Sequence, residues 1–325
     1  MLIFFIFTVL IFVNIIFFNI YKNIAKRFGL IDKSMKFNNP ITVTSSGIVI
    51  YLNLLFILML HFFIEDGLFK ILPNNFIFTI ICFTILFLIS TVDDFKPIDP
   101  KVRLFFQLVC VYFSITSIPI YQLVIPIKVS IFICMCLWVY ILNITNFTDG
   151  SDGFLATNTL FVFFNLFILG NIINLNIFSL DLVAYLIPSL IIFIYYNKPN
   201  AKIYLGDSGS IQIGFINGFI FLELMITGML NIAVSLLIYP ILDCSLSLVK
   251  KTLQGKMPWA DTSNYSFLQP TIKKNTNKFF VFKLNIFFNI INSLLIFSQF
   301  YFGWYLILLN ILLALIFIAI YEKKK

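Results

Sequence analysis

Charge is what this sequence has least of. Asp, Glu, Lys and Arg make up 11% of its 325 residues, while 61% are hydrophobic and mean hydropathy is +1.02. Soluble globular chains carry about 25% charged and about 45–50% apolar residues. A water-soluble fold is therefore excluded, because too few polar groups exist to cover its surface. Cysteine offers no disulfide framework: Cys82, Cys110, Cys134, Cys136 and Cys244 all fall within or at the ends of apolar stretches. Cys134 and Cys136 stand two apart with no other Cys or His nearby, which reads as small apolar filler rather than a metal pair. Histidine is reduced to His61, inside an apolar stretch, where it reads as structural. Internal repeats and low-complexity linkers are missing too. At about 20 residues per span, eleven spans use roughly 220 residues and leave roughly 105 for loops and tails, too few for a soluble domain. Any chemistry must sit in loops or at helix ends.

What is there is hydrophobic and continuous. Apolar stretches lie near 1–21, 43–63, 74–92, 104–118, 124–142, 155–172, 181–196, 208–224, 226–247, 280–298 and 301–320. They do not alternate, so they predict helices rather than barrel strands, and backbone groups in lipid must be satisfied within a helix. The first stretch lacks a basic leader and a small-residue cleavage site, so it reads as a span rather than a signal peptide. The expected fold is all-α and polytopic, with about 10–11 transmembrane helices in a single unit over residues 1–325. Counting eleven spans puts 20 of the 22 Lys and Arg on one side, with Lys70 and Lys128 opposite. By the positive-inside rule that side is cytoplasmic, with the N-terminus out and the C-terminus in. The net charge of +8 follows from this rule and from anionic headgroups. The same electropositive face would also attract a nucleotide or a lipid phosphate.

The acids share that side. Ten of the 14 fall there: Asp32, Asp93, Asp94, Asp99, Asp149, Asp152, Asp207, Asp243, Asp261 and Glu322. Several stand where a span ends. Desolvating a carboxylate at a membrane boundary is costly unless it is paired or bound to a cation, so the acids point to a shared site holding a divalent metal. Three segments carry this reading. Asp93-Asp94, followed by Lys101, Arg103 and Gln107, sets like charges side by side. Their repulsion, about 4 kcal/mol at 4 Å and an effective dielectric of about 20, calls for solvent, a cation or a held proton. In NITNFTDGSDG (143–153) two Asp three apart, each followed by Gly, suit a tight turn facing one ligand. NAKIYLGDSGS (200–210) places Asp207 at a helix start, a position suited to a phosphate or metal–phosphate.

Together these segments resemble the polyprenyl-phosphate N-acetylhexosamine-1-phosphate transferases (glycosyltransferase family 4). That superfamily includes phospho-N-acetylmuramoyl-pentapeptide transferase and the undecaprenyl-phosphate N-acetylglucosamine-1-phosphate transferases. Asp32 with Pro40 before Gly47, and Pro240 with Asp243, also look like the family pattern. The resemblance implies transfer of a sugar 1-phosphate from a UDP-sugar to a polyprenyl phosphate such as undecaprenyl phosphate. UMP is released, Mg²⁺ is required, and the step initiates cell-envelope polysaccharide synthesis. It implies an inner (cytoplasmic) membrane location with the active site on the cytoplasmic face. Nucleic acid is not a partner, and a homodimer is left open. By motif, Asp207 is the principal metal ligand with Asp94 beside it, and Asp93 deprotonates or orients the lipid phosphate. Asn146, Asp149 and Asp152 would hold the nucleotide-sugar, and Tyr204 would stack on uracil. Lys101 and Arg103 would contact phosphate, unless they are positive-inside anchors. Two departures stand out. Ser46-Gly47 replaces a common glycine pair, and Asp261, Asn264 and Tyr265 stand in the last loop where relatives usually carry a histidine motif. Two rival classes are a lipid or sugar transporter, which needs ionisable groups near the midplane, and a non-catalytic scaffold for which the acids are dispensable.

Overall fold

Long apolar stretches without alternation leave the backbone one way to satisfy its hydrogen bonds in lipid, and the computed structural model takes it. It describes residues 2–31, 42–64, 72–257, 264–274 and 277–323, and among them strand pairing is limited to isolated bridges. The helices are α1 (Leu2–Arg27), α2 (Gly47–Phe63), α3 (Phe76–Phe95), α4 (Pro100–Ser114), α5 (Ile127–Phe147), α6 (Phe154–Ile172) and α7 (Phe178–Asn197). They continue with α8 (Asp207–Ile226), α9 (Leu230–Leu236), α10 (Ile238–Leu253), α11 (Gln269–Lys274), α12 (Lys278–Phe302) and α13 (Ile307–Glu322). Eight are long and apolar enough to cross a membrane, the last as Trp304–Glu322, α13 with the turn ahead of it. A ninth span arises if α9 and α10, bent by 71°, count as one. The 17-residue α2 and 15-residue α4 fall short of about 20 residues. The turn Ile115–Ser117 extends α4.

All eleven stretches read from sequence lie on helices, 226–247 on the bent pair α9 and α10, but only eight or nine are long enough to span, and the legs alternate in direction. At one end, Asp94 at the end of α3 meets the start of α8, and Asn197 at the end of α7 accepts from the Gly153 N–H ahead of α6. Lys278 opening α12 pairs with Asp152 there, and Lys250 of α10 pairs with Glu322 closing α13. At the other end, Glu223 of α8 accepts from the Ser179 N–H in the first turn of α7. There too Thr79 of α3 donates to Ser117 beyond α4, and Gln299 of α12 reaches Asn310 of α13.

Helix α8 is the axis. It packs against α2, α3, α5, α7 and α9, and 83% of its span is buried against 28% for α1. Glycine lets α2 and α8 cross backbone to backbone: a Cβ on Gly47 would stand 2.2 Å from the Gly209 nitrogen. Inside the bundle, amides pair with amides. Asn53 donates to Asn14 and to Ser189, Asn289 to Asn158, and Asn310 to Asn292. Without a hydrophobic drive between helices in lipid, such pairs and close small-residue contacts hold the legs together.

Candidate active site

Four stretches of chain far apart in sequence meet at the end where α3 stops and α8 starts. Asp94, in the last turn of α3, caps α8: its carboxylate accepts from the N–H groups of Asp207 at 2.7 Å and Ser208 at 3.2 Å. A carboxylate there satisfies orphan donors and complements the helix dipole. Gly206 is required beside it. Its φ is +75°, and a Cβ would stand 2.6 Å from the Asp94 carboxylate. Asp93, the adjacent residue, turns the other way and accepts from the Ile98 N–H and from Arg103.

Arg103 is the centre of the arrangement. It sits in the first turns of α4, whose start is set by Asp99 as cap and Pro100 at the first position. One guanidinium nitrogen bridges Asp93 and, at 2.8 Å, Asp207. The Asp207 side chain keeps 34% of its surface exposed and Asp93 only 7%, so an incoming ligand meets Asp207 first. Lys101, two residues before Arg103, is exposed, since residues two apart do not share a helix face. The structure thus brings Arg103 into the acid cluster and leaves Lys101 at the rim.

The segment 143–153 supplies the opposite wall. Asn146 accepts from the Ser210 hydroxyl at 2.8 Å, and Asn143 donates to Gln107 at 2.7 Å, tying α5 to α8 and α4. Asp149 lies in the turn after α5. No hydrogen bond or ion pair reaches its carboxylate from the described residues. Burial, reinforced by Asp207, Asp94 and Asp152, holds its carboxyl well above the usual carboxylate range. Asp152 differs: buried at 4%, it is paired with Lys278 at 3.2 Å and accepts from the Ala201 N–H and the Tyr204 hydroxyl. Both Asp152 and Tyr204, expected to touch the nucleotide-sugar, are thus tied to each other.

Segment 42–47 was not singled out from sequence beyond its glycine, yet it runs beside 201–205. Val43 N–H donates to Lys202, Tyr204 N–H to Val43, Ser46 N–H to Tyr204 and Gly47 N–H to Leu205. The start of α2 therefore lies beside the start of α8, two positive dipole ends at one place. Lys278 was read only as one of the basic residues and Asn197 only as the head of the segment running to Ser210; their partners lie 126 and 44 residues away. Tyr265 is fully buried, its ring stacked between Phe147 and Phe267, so it packs rather than faces a substrate. Asp261, and with it Asp32 and Pro40, lies outside the described residues.

Among the described residues, no three His, Cys, Asp or Glu side chains form a group that could hold a metal ion. The donor set still fits Mg²⁺, which usually takes one or two carboxylates and completes its shell with waters and substrate phosphates. Asp207, reachable from outside, and Asp149, whose carboxylate has no partner among the described residues, are such donors.

A family model described as glycosyl transferase family 4 matches residues 76–225, the stretch from α3 to α8 that contains Asp93, Asp94, Asp149 and Asp207. An undecaprenyl-phosphate alpha-N-acetylglucosaminyl 1-phosphate transferase of Thermotoga maritima is 26% identical over 73% of this chain and 74% of its own length. The chain is similar to this superfamily from α3 to α8. A phospho-N-acetylmuramoyl-pentapeptide-transferase of Campylobacter lari is 28% identical over 45% of this chain and 53% of its own. That of Leuconostoc citreum is 34% identical over 27% and 28%. The chain thus spans less than a third of the length of the Leuconostoc citreum relative and about half that of the Campylobacter lari one. The glycosyl transferase family 4 match covers every acid of the cluster, and α9 to α13 lie beyond it.

Proposed function

We propose that this membrane protein transfers a sugar 1-phosphate, N-acetylhexosamine 1-phosphate in the first instance, from a UDP-sugar to a polyprenyl phosphate such as undecaprenyl phosphate. The observation that carries the reading is the convergence of Asp93, Asp94, Arg103, Asp149 and Asp207 at one end of an apolar bundle. An oxygen of the lipid phosphate attacks the sugar-bearing phosphorus of the donor. The bond to the bridging oxygen breaks, and UMP departs with that electron pair. Such transfer depends on positioning and charge stabilisation more than on covalent help from the protein.

Arg103 and the paired starts of α2 and α8 stabilise phosphate charge. Asp93, held by Ile98 and Arg103, orients the lipid phosphate at the bundle rim. Asp207 and Asp149 would hold Mg²⁺, which would supply charge neutralisation of the donor phosphates, while Asp94 keeps the start of α8 in place beside them. Asn146 places α8 against α5, and Asp152 fixes Tyr204 beside the nucleotide path. The basic residues gather at the same end, which supports a cytoplasmic-facing site in the inner membrane. The product then enters cell-envelope polysaccharide synthesis.

The test is direct. The full chain in detergent is given undecaprenyl phosphate, Mg²⁺ and a panel of UDP-sugars, and UMP release is followed beside an active relative. Release with at least one donor, abolished by chelation, is expected. Silence with every donor while the relative works overturns the reading.

A further inference from the structure

We infer that a polar stripe on α10, made of Asp243, Ser247 and Lys251, is a positioning device that holds the Asp149 turn in place through residues 264–268. Spaced by four, the three side chains share one face of the helix. All are buried, with exposures of 1%, 2% and 1%. An aspartate and a lysine are rarely buried without a structural use for their polarity. Each takes a different part of the same short segment. Asp243 accepts from the Ser266 N–H at 3.0 Å, Ser247 donates to the Asn264 carbonyl at 3.3 Å, and the Lys251 ammonium stands 4.9 Å over the Tyr265 ring.

The clamped segment bears on the catalytic turn at three points. Tyr265 stacks on Phe147 at 5.8 Å, and Phe267 stacks on Phe154 at 4.4 Å. The Leu268 methyls lie 3.2 Å from where a Cβ on Gly150 would be. Phe147 and Phe154 flank the turn and Gly150 follows Asp149, so the segment braces it from both ends and the middle. Among the described residues no bond reaches the Asp149 carboxylate; the far side of its turn is fixed through Gly153 and Asp152, and this brace packs the Asp149 side.

The device predicts a hierarchy of substitutions. Among the described residues, only one oxygen of Asp243 accepts from the segment and the other has no hydrogen-bond partner. An amide keeps the acceptor, so Asp243→Asn preserves the brace and Asp243→Leu removes it. Lys251→Met keeps the stem and loses the cation over the ring.

Hydrogen–deuterium exchange on the full chain in lipid nanodiscs tests this whether or not UMP is released. Asp243→Leu and Lys251→Met are expected to speed exchange at least tenfold in peptides covering both 264–268 and 147–153. Peptides covering 89–95 and 204–210 stay unchanged, and Asp243→Asn matches the unsubstituted chain. Ser247→Ala carries the same readout if the leucine variant does not fold. The inference is overturned if 264–268 loosens while 147–153 does not, if all four regions loosen together, or if Asp243→Asn behaves as Asp243→Leu. A kinetic arm rests on the proposed transfer: Lys251→Met raises the KM for the UDP-sugar at least fivefold and leaves that for undecaprenyl phosphate unchanged. Equal rises in both overturn the positioning role, and loss of the transfer reading leaves the exchange result standing.

Discussion

Arg103 and the carboxylates around it show how neighbouring residues of one type take separate tasks. Asp93 and Asp94 are adjacent, yet one binds the guanidinium and the other the backbone start of α8. Asp207→Asn and Asp93→Asn are each expected to lower UMP release at least a hundredfold, the scale on which loss of a charge-stabilising group is felt, with thermal unfolding within a few degrees of the unsubstituted chain. A near-normal rate in either variant removes that residue from its role. Asp149 makes the opposite trade. Its carboxyl is held above the usual range, so the folded state resists its ionisation, and stability falls as pH rises above the ordinary aspartate value toward the raised one. Asp149→Asn removes that penalty. In metal-free buffer near pH 7 it should unfold at a temperature several degrees higher while transferring far less; a lower unfolding temperature would show that the acid is stabilised by a partner.

At the scale of elements, the site depends on where helices start. α2 and α8 begin side by side because Gly47 and Gly209 allow their backbones to touch. Gly47→Ala would place a methyl 2.2 Å from the Gly209 nitrogen, which the surroundings can meet only by moving α8. Overpacking of this kind costs about 3 kcal/mol. The expected result is a clear loss of thermal stability together with a loss of activity out of proportion to it, since Asp207 is the first residue of α8. Normal activity in the folded fraction would show that α8 keeps its place. α4 gives the complementary lesson. Asp99 and Pro100 set its start ahead of the stretch near 104–118 read from sequence, and its basic residues were legible as a pair, but helical rotation places Arg103 inward and Lys101 outward.

Across the whole molecule, alternation of the legs puts the acid cluster, Lys250, Lys278 and Lys202 at one end and Glu223 and Lys128 at the other. The proposed orientation is checked by labelling. In a background with the native cysteines replaced, a cysteine at position 101 should react with an impermeant reagent only from the cytoplasmic side, and one at 121 only from the outside. Reversed labelling would place the cluster outside the cell and remove access to a cytoplasmic nucleotide-sugar. The same architecture disfavours a transporter reading, because the acids gather at a rim and Glu223 is spent on the first turn of α7.

By itself the sequence determined that the chain lives in a membrane, that its legs are helices, and that its charge is gathered at one end. These follow from local physics: apolar runs of span length cannot dissolve in water, and carboxylates at a boundary need cations. It also singled out Asp93, Asp94, Asp149 and Asp207, which stand at or near the ends of apolar runs. Only the tertiary structure decided their partners. Arg103 meets Asp207 across 104 residues, Lys278 meets Asp152 across 126, and segment 42–47 lies along 201–205. Such pairings depend on how helices pack and rotate against one another, and a linear pattern of residues carries neither the packing nor the rotation.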